Sequence, residues 1–215
     1  MFAFILAGVV LSCLHQSSLG NLMLIAPTKM HALWYTPLLG LFFLISAICV
    51  GFPMVVCESL YASWALRRPP ETALLAKLAR YVPVLLGVYL ALKLGDLVIR
   101  EALGHLLEPT VHTAMFLLEI VGGVVVPMLI LSSARLRVQR PWLPAASLMI
   151  VLGVALNRVN VCLVAYQPPY AERAYFPSMG EFVVTIGLAA LLMLTYRVIV
   201  TYLPVISHEP ERGAA

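Results

Sequence analysis

The stretch Leu85-Leu86-Gly87-Val88-Tyr89-Leu90-Ala91-Leu92-Lys93-Leu94-Gly95-Asp96-Leu97-Val98-Ile99-Arg100 decides the fold. It is apolar along most of a membrane crossing, yet it carries a lysine and an aspartate in its middle. A helix needs about 20 apolar residues to cross the hydrocarbon core, and an ionised side chain near the centre costs about 2.5–3.5 kcal/mol. The segment reads as a membrane helix whose charges have partners or a function.

The rest of the chain agrees. Of its 215 residues 62% are hydrophobic and only 11% charged, with a mean hydropathy of +0.97. A soluble domain keeps about a quarter of its residues charged, so these few could not cover a water-facing surface. The net charge of +4 is modest, and no nucleic-acid partner is expected. Cys13, Cys49, Cys57 and Cys162 are dispersed with no C-x-x-C pair, whereas zinc and iron–sulfur sites need clustered thiolates. They read as small buried hydrophobes.

Six segments are long and apolar enough to cross: 2–26, 37–66, 81–103, 111–134, 142–165 and 178–203. The fold class is all-α, a polytopic transmembrane bundle over 1–203 with a short tail at 204–215. Pro27, Pro37, Pro69-Pro70, Pro109, Pro141 and Pro177 mark the junctions, and Pro53, Pro83 and Pro127 fall inside spans. Arg67, Arg68, Lys77 and Arg80 flank the second connection, and Arg135, Arg137 and Arg140 the fourth. The first, third and fifth hold only Lys29, Arg100 and Arg173. Positive charge stays inside, so both termini are expected in the cytoplasm. Trp34, Tyr35, Trp64, Tyr81, Trp142, Tyr166 and Tyr175 read as interfacial anchors. Met1 opens directly into an apolar run without the basic region or cleavage site of a signal peptide. The expectation is the rear part of a longer protein, or one half of a split one.

Depth along the helices places the ionisable residues. His15 lies about 18 Å from the outer end of the first span, near mid-membrane. Lys93 and Asp96 lie about 18 and 22 Å from the inner end of the third, and Glu119 about 10 Å from the outer end of the fourth. Asn157, Arg158 and Asn160 come late in the fifth span, and Glu181 opens the sixth. Eight polar residues thus crowd mid-depth and the outer half, while Glu58 and Arg197 lie toward the inner side. A polar pocket reached from outside would give this distribution.

Helical spacing groups them further. Lys93, Asp96 and Arg100 share a face with Tyr89, as do Gly153, Asn157 and Asn160, and Ser12, His15 and Ser18. Gly122-Gly123 beside Glu119 allows close backbone approach or room for a ligand. Structural readings stand beside the functional ones. Lys93–Asp96 and Asp96–Arg100 can neutralise one another, and the two asparagines can join helices by hydrogen bonds. Arg158 cannot discharge, and Glu119 or Glu181 are its expected partners. Glu58 can be neutral and hydrogen-bonded. His31, His105, His112 and His208 read as surface residues, and His15 has no histidine facing it at its depth, so haem is not expected.

Four stretches carry a resemblance. They are Leu11-Ser12-Cys13-Leu14-His15-Gln16-Ser17-Ser18-Leu19-Gly20; Ser46-Ala47-Ile48-Cys49-Val50-Gly51-Phe52-Pro53-Met54 with Glu58-Ser59; Leu156-Asn157-Arg158-Val159-Asn160 with Tyr166-Gln167-Pro168-Pro169-Tyr170; and Phe176-Pro177-Ser178-Met179-Gly180-Glu181. Together they resemble the NrfD/PsrC family, in its HybB-type branch, the membrane subunits of hydrogenase-2-type nickel–iron hydrogenases. The likeness covers essentially the whole chain but only the C-terminal part of the family pattern. It implies a subunit of the bacterial inner membrane that is not catalytic on its own. Such a subunit binds menaquinone or ubiquinone near the outer face and carries no haem or iron–sulfur cluster. Its implied partners are a periplasmic iron–sulfur electron-transfer subunit and the [NiFe] hydrogenase large and small subunits. The family's absent N-terminal helices help build one of its two four-helix bundles, and the helix bearing His15 would lie near their junction.

The resemblance carries over to His15, Asn157, Arg158 and Glu181, which fall within matching motifs, whereas Asp96 and Glu119 are candidates from depth and charge. His15, Asp96 and Glu119 suit proton handling, since a quinone takes up protons with its electrons. Asn157, Asn160 and Arg158 suit orienting a headgroup or balancing the acids, and Glu58 and Arg197 an inward proton route. No metal ligands are assigned. Two other classes compete: an ion or solute transporter, for which buried charges also speak, and a passive anchor.

Overall fold

A computed structural model of the chain describes residues 2–25, 27–65, 67, 72–139, 141–167 and 177–202. Arg68, Pro69-Pro70, Arg140, the stretch 168–176 with Arg173 and Tyr175, and the tail with His208 lie outside the described residues. Every long element is a helix, and six are long and apolar enough to cross a membrane. The sequence expectation of an all-α, six-span protein holds. The chain divides into two units, Met1–Glu172 and Arg173–Ala215.

In the first unit, α1 (Phe2–Leu22) packs on α2 (Leu39–Ala65). Gly20 makes this possible, because a Cβ there would stand 2.8 Å from the Phe43 ring. Helix α3 (Thr72–Leu78) leads into α4 (Val82–Ile99), with Pro83 in its first turn. That is where a missing N–H does least harm. Helix α4 stops one turn short of expectation, because Glu101 is left-handed (φ 55°) and a 3₁₀ turn follows at Ala102–Leu106. The next crossing is composite: α5 (Val111–Leu117), a π-helical stretch Leu118–Val125, and α6 (Val126–Ser132). Thr110 caps α5 by accepting the Thr113 N–H. Pro127 lacks an N–H, and its ring crowds the Gly123 carbonyl, so the widened turn just before it has a local cause. After α7 (Ala134–Val138), helix α8 (Trp142–Val159) runs into a second π-helical stretch, Asn160–Val164.

Helices α2, α4, α5–α6 and α8 form the bundle. One end is capped by residues 27–38, 100–110 and 160–167, joined by an isolated bridge between Met30 and Tyr166. On α4 the core and lipid sides divide cleanly: Leu97 is 1% exposed and Ile99 84%. One apolar cluster, including Leu33, Phe43, Leu97, Phe116 and Val161, lies under the cap. A second, including Phe42, Val56, Leu86, Leu131, Leu143 and Ile150, fills the opposite half. The second unit contains α9 (Met179–Tyr202), started by a capping box in which Ser178 and Glu181 each bond the other's backbone N–H.

Two backbones meet closely where α8 crosses the first π-helical stretch: a Cβ on Gly123 would stand 2.6 Å from the Gly153 Cα. Close backbone packing is therefore what the glycine serves. Gly123→Ala is expected to cost about 1–3 kcal/mol by overpacking. Gly51→Ala, whose Cβ meets nothing within 4 Å, should be neutral or slightly stabilising. Thermal unfolding of the two variants in detergent checks the contrast.

Candidate functional site

Between the two apolar clusters lies a polar network built around Glu119. The π-helical backbone turns its carboxylate into the bundle, where it is 2% exposed. Oε1 accepts from Lys93 Nζ at 2.6 Å and from Asn157 Nδ2 at 2.7 Å. Oε2 accepts from the Trp34 indole at 3.0 Å and from Asn160 Nδ2 at 2.9 Å. Four donors on two oxygens fill the acceptor capacity of a carboxylate. Lys93 also reaches the Tyr89 hydroxyl at 3.3 Å and lies over the rings of Tyr89 and Phe116. The second π-helical stretch carries Asn160 inward, as the first does Glu119.

Arg158 extends the network to α1. Its guanidinium donates to Asn157 Oδ1 (2.8 Å), Gln16 Oε1 (2.9 Å), Ser46 Oγ (2.9 Å) and the Phe43 carbonyl (3.2 Å), and stacks 3.7 Å over the Phe43 ring. Glu119, one of its two expected partners, is reached only indirectly, since Asn157 stands between Arg158 and Glu119. Glu181 belongs to the other unit, where it takes part in the cap of α9.

A second ion pair sits one turn nearer the cap. Arg100 binds Asp96 at 2.7 Å, the i,i+4 neutralisation that spacing allowed. The Lys93–Asp96 pairing is not made, because Lys93 turns to Glu119 instead. Asp96 also accepts from Thr36 Oγ1 at 2.8 Å, and Arg100 donates to the carbonyls of Ala32 (2.8 Å) and Tyr35. This staple fastens the 27–38 segment over the bundle. The segment is further held by His31 N–H to the Ala165 carbonyl at 2.8 Å and Gln167 N–H to the Lys29 carbonyl at 2.6 Å. So fixed, it drives Trp34 inward to 2% exposure, correcting its reading as an interfacial anchor. Trp64 and Tyr81 remain exposed as anchors would be.

Space near these groups is of two kinds. A cavity of about 20 Å³ lies between Ser46, Cys49, Tyr89, Glu119, Gly123 and Asn157, and one of about 10 Å³ touches Lys93, Asp96 and Asn157. Each is the size of a single water, not of an organic ligand. A groove of about 430 Å³ opens on the lipid side of α4, lined by Pro37, Leu38, Leu92, Gly95 and Ile99, with Asp96 and Arg100 as its polar members.

Of the residues named from sequence, Glu119, Asn157, Asn160 and Arg158 join one network, and Asp96 lies beside it. His15 does not: it is exposed on α1, and its neighbour Gln16 makes the inward contact. Glu58 is exposed on α2, and Arg197 belongs to α9 in the other unit. His31, His105 and His112, read as surface residues at span ends or in loops, are half-buried and gather at the cap, where His31 stacks on His112 with ring centroids 4.5 Å apart. Trp34, Thr36, Gln16 and Ser46 are the members that sequence reasoning missed. Gln16 and Ser46 lay inside the quoted motifs, but Trp34 and Thr36 carried no signal beyond being polar near a span end.

Residues 3–168 match the family described as Polysulphide reductase, NrfD. A protein of Escherichia coli K12 described as "Probable Ni/Fe-hydrogenase 2 b-type cytochrome subunit" is 34% identical over 209 residues, which is 96% of this chain and 53% of that protein. A protein of Nitratidesulfovibrio vulgaris Hildenborough is 33% identical over 213 residues, 95% of this chain and 54% of its own length. The chain spans about half the length of the curated relatives it matches. No solved structure matches significantly. With most of its length matched and a polar network set inside six membrane-length helices, the chain is a multi-pass membrane protein and belongs to the NrfD family.

Proposed function

We propose that the chain is the quinone-reactive membrane subunit of a hydrogenase-type oxidoreductase complex in a bacterial inner membrane. Electrons pass between a partner iron–sulfur subunit and menaquinone or ubiquinone, with proton transfer coupled to them. The iron–sulfur subunit, wired to [NiFe] hydrogenase large and small subunits, docks on the capped end. Loop charges favour placing that end in the periplasm, with both termini and the 204–215 tail in the cytoplasm. Family membership and the name of the Escherichia coli relative support the redox assignment.

The observation that carries the reading is the position of Asp96. Within a membrane span it is at once ion-paired and open to a lipid-side groove of about 430 Å³, a size within the range of ligand clefts. A quinone taking two electrons also takes two protons, so its carbonyl oxygens need a donor. Asp96 can accept a proton and pass it on, and Arg100 steadies its charge. Glu119 and Lys93, one turn deeper, continue the polar path, with Asn157, Asn160 and Arg158 holding it in place. In the assembled complex, Asp96→Asn is expected to lower reduction of a quinone analogue about 100-fold or more, the scale of lost acid–base catalysis. Hydrogen-dependent dye reduction by the partner subunits should stay unchanged. His15→Ala, at an exposed position, should cost less. Wild-type quinone turnover in both variants would remove these groups from the mechanism.

The complete satisfaction of Glu119 favours a second reading, in which the network serves assembly only. Lys93→Met alone leaves a buried carboxylate uncompensated and is expected to cost about 3–5 kcal/mol, whereas Lys93→Met with Glu119→Gln, which removes the charge and keeps an acceptor for the remaining donors, should recover a good part of that. Thermal unfolding and quinone turnover of the double variant separate the readings. Stable but inactive protein is expected; stable and fully active protein would make the network structural.

A further inference from the structure

Three histidines distant in sequence meet at the capped end, outside the network around Glu119. The His31 ring stacks on His112 with centroids 4.5 Å apart and planes at 21°, and His105 stands edge-on to His31 at 5.7 Å. Trp34 lies edge-on to both His31 (6.0 Å) and His112 (6.4 Å), and its indole N–H is one of the four donors to Glu119. We propose that His31, His105 and His112 form a proton-binding cluster that transmits the acidity of the water at the capped end to Glu119 through Trp34. The inference stands apart from the quinone reading.

The hydrogen bonds show how protonation would act. Nδ1 of His31 accepts the Leu33 N–H at 3.3 Å, so the neutral ring carries its proton on Nε2. A further proton must enter at Nδ1, and it removes the acceptor that Leu33 uses. That bond shapes the turn presenting Trp34, whose own N–H is bonded to the His31 carbonyl. Among the described residues, the titratable groups facing His31 are His112 from α5, His105 from the 3₁₀ turn, and Glu108 just after it. Glu108 Oε1 lies 3.2 Å from His105 Nδ1. A proton on His31 would place its charge directly against the stacked His112 ring.

The sign follows from burial. His31 lies below its usual 6.5, first because it is partly buried and then because of its two histidine neighbours, with Glu108 pulling the other way. A base depressed by folding favours the neutral form of the fold. Its stabilisation is full above pH 6.5 and is lost as pH falls through that value toward the lower, folded one. Acidification therefore loosens the stack, and Trp34 with it.

The test uses the full chain in lipid nanodiscs, with Trp64→Phe and Trp142→Phe leaving Trp34 as the sole indole of the original three. Lowering the pH from about 8 to about 5, the range in which histidine titrates, should quench Trp34 emission in a step with its midpoint below 6.5. Adding His31→Phe and His112→Phe, which keep the aromatic stack, should abolish the step. Nitrogen-15 shifts of labelled imidazoles in the unmutated protein read the protonation directly, even if a variant fails to fold. Absence of the step, its survival in the phenylalanine variant, or three rings that stay neutral throughout would each overturn the proposal.

Discussion

A carboxylate sealed inside a membrane protein has no water to fall back on, and the first unit is organised around meeting that demand for Glu119. Its four donors come from Trp34 in the cap, Lys93 on α4, Asn157 on α8 and Asn160 in the π-helical stretch beyond. Each bond fixes the rotation of one element against the others. Removing a single partner strands a buried polar or charged group, which is costlier than losing an ordinary contact. The network thus specifies how the helices are turned, where apolar packing between lipid-bathed helices specifies it weakly.

The irregular backbone serves the same end. Both π-helical stretches lie beside the network, and each delivers one of its members. Pro127 accounts for the first, and the Gly123–Gly153 approach lets α8 come close enough for Asn157 to reach the carboxylate. Arg158 then carries the polar chain outward to Ser46 and Gln16, joining α1 to the bundle through neutral acceptors and the Phe43 ring.

The buried charges Lys93, Asp96 and Glu119 lie in one part of the bundle. Below the network, Phe42, Leu86, Leu131 and Ile150 pack an apolar half. Above it, the Asp96–Arg100 staple closes the cap while leaving Asp96 beside a groove on the lipid side. Ionisable side chains are therefore concentrated near the capped end. There a titratable carboxylate, a fixed guanidinium and a histidine cluster lie within one layer of structure.

The sequence by itself determined the class, the six crossings and several shared faces. Length and hydropathy set the first two, and helical periodicity put Gly153, Asn157 and Asn160 on one side and Asp96 next to Arg100. It also marked Glu119 as an acid too deep to be idle. Only the tertiary structure decided who partners whom. Periodicity relates residues within a helix, but the rotation of one helix against another follows from packing. Lys93 therefore chose Glu119 over the nearer Asp96, Arg158 reached Gln16 through the space between helices, and His15 turned away from the network it was expected to join. Trp34 and the three histidines were hardest to read. They lie in irregular segments with no period to follow, and they converge only because the Arg100 staple folds the cap down over the bundle.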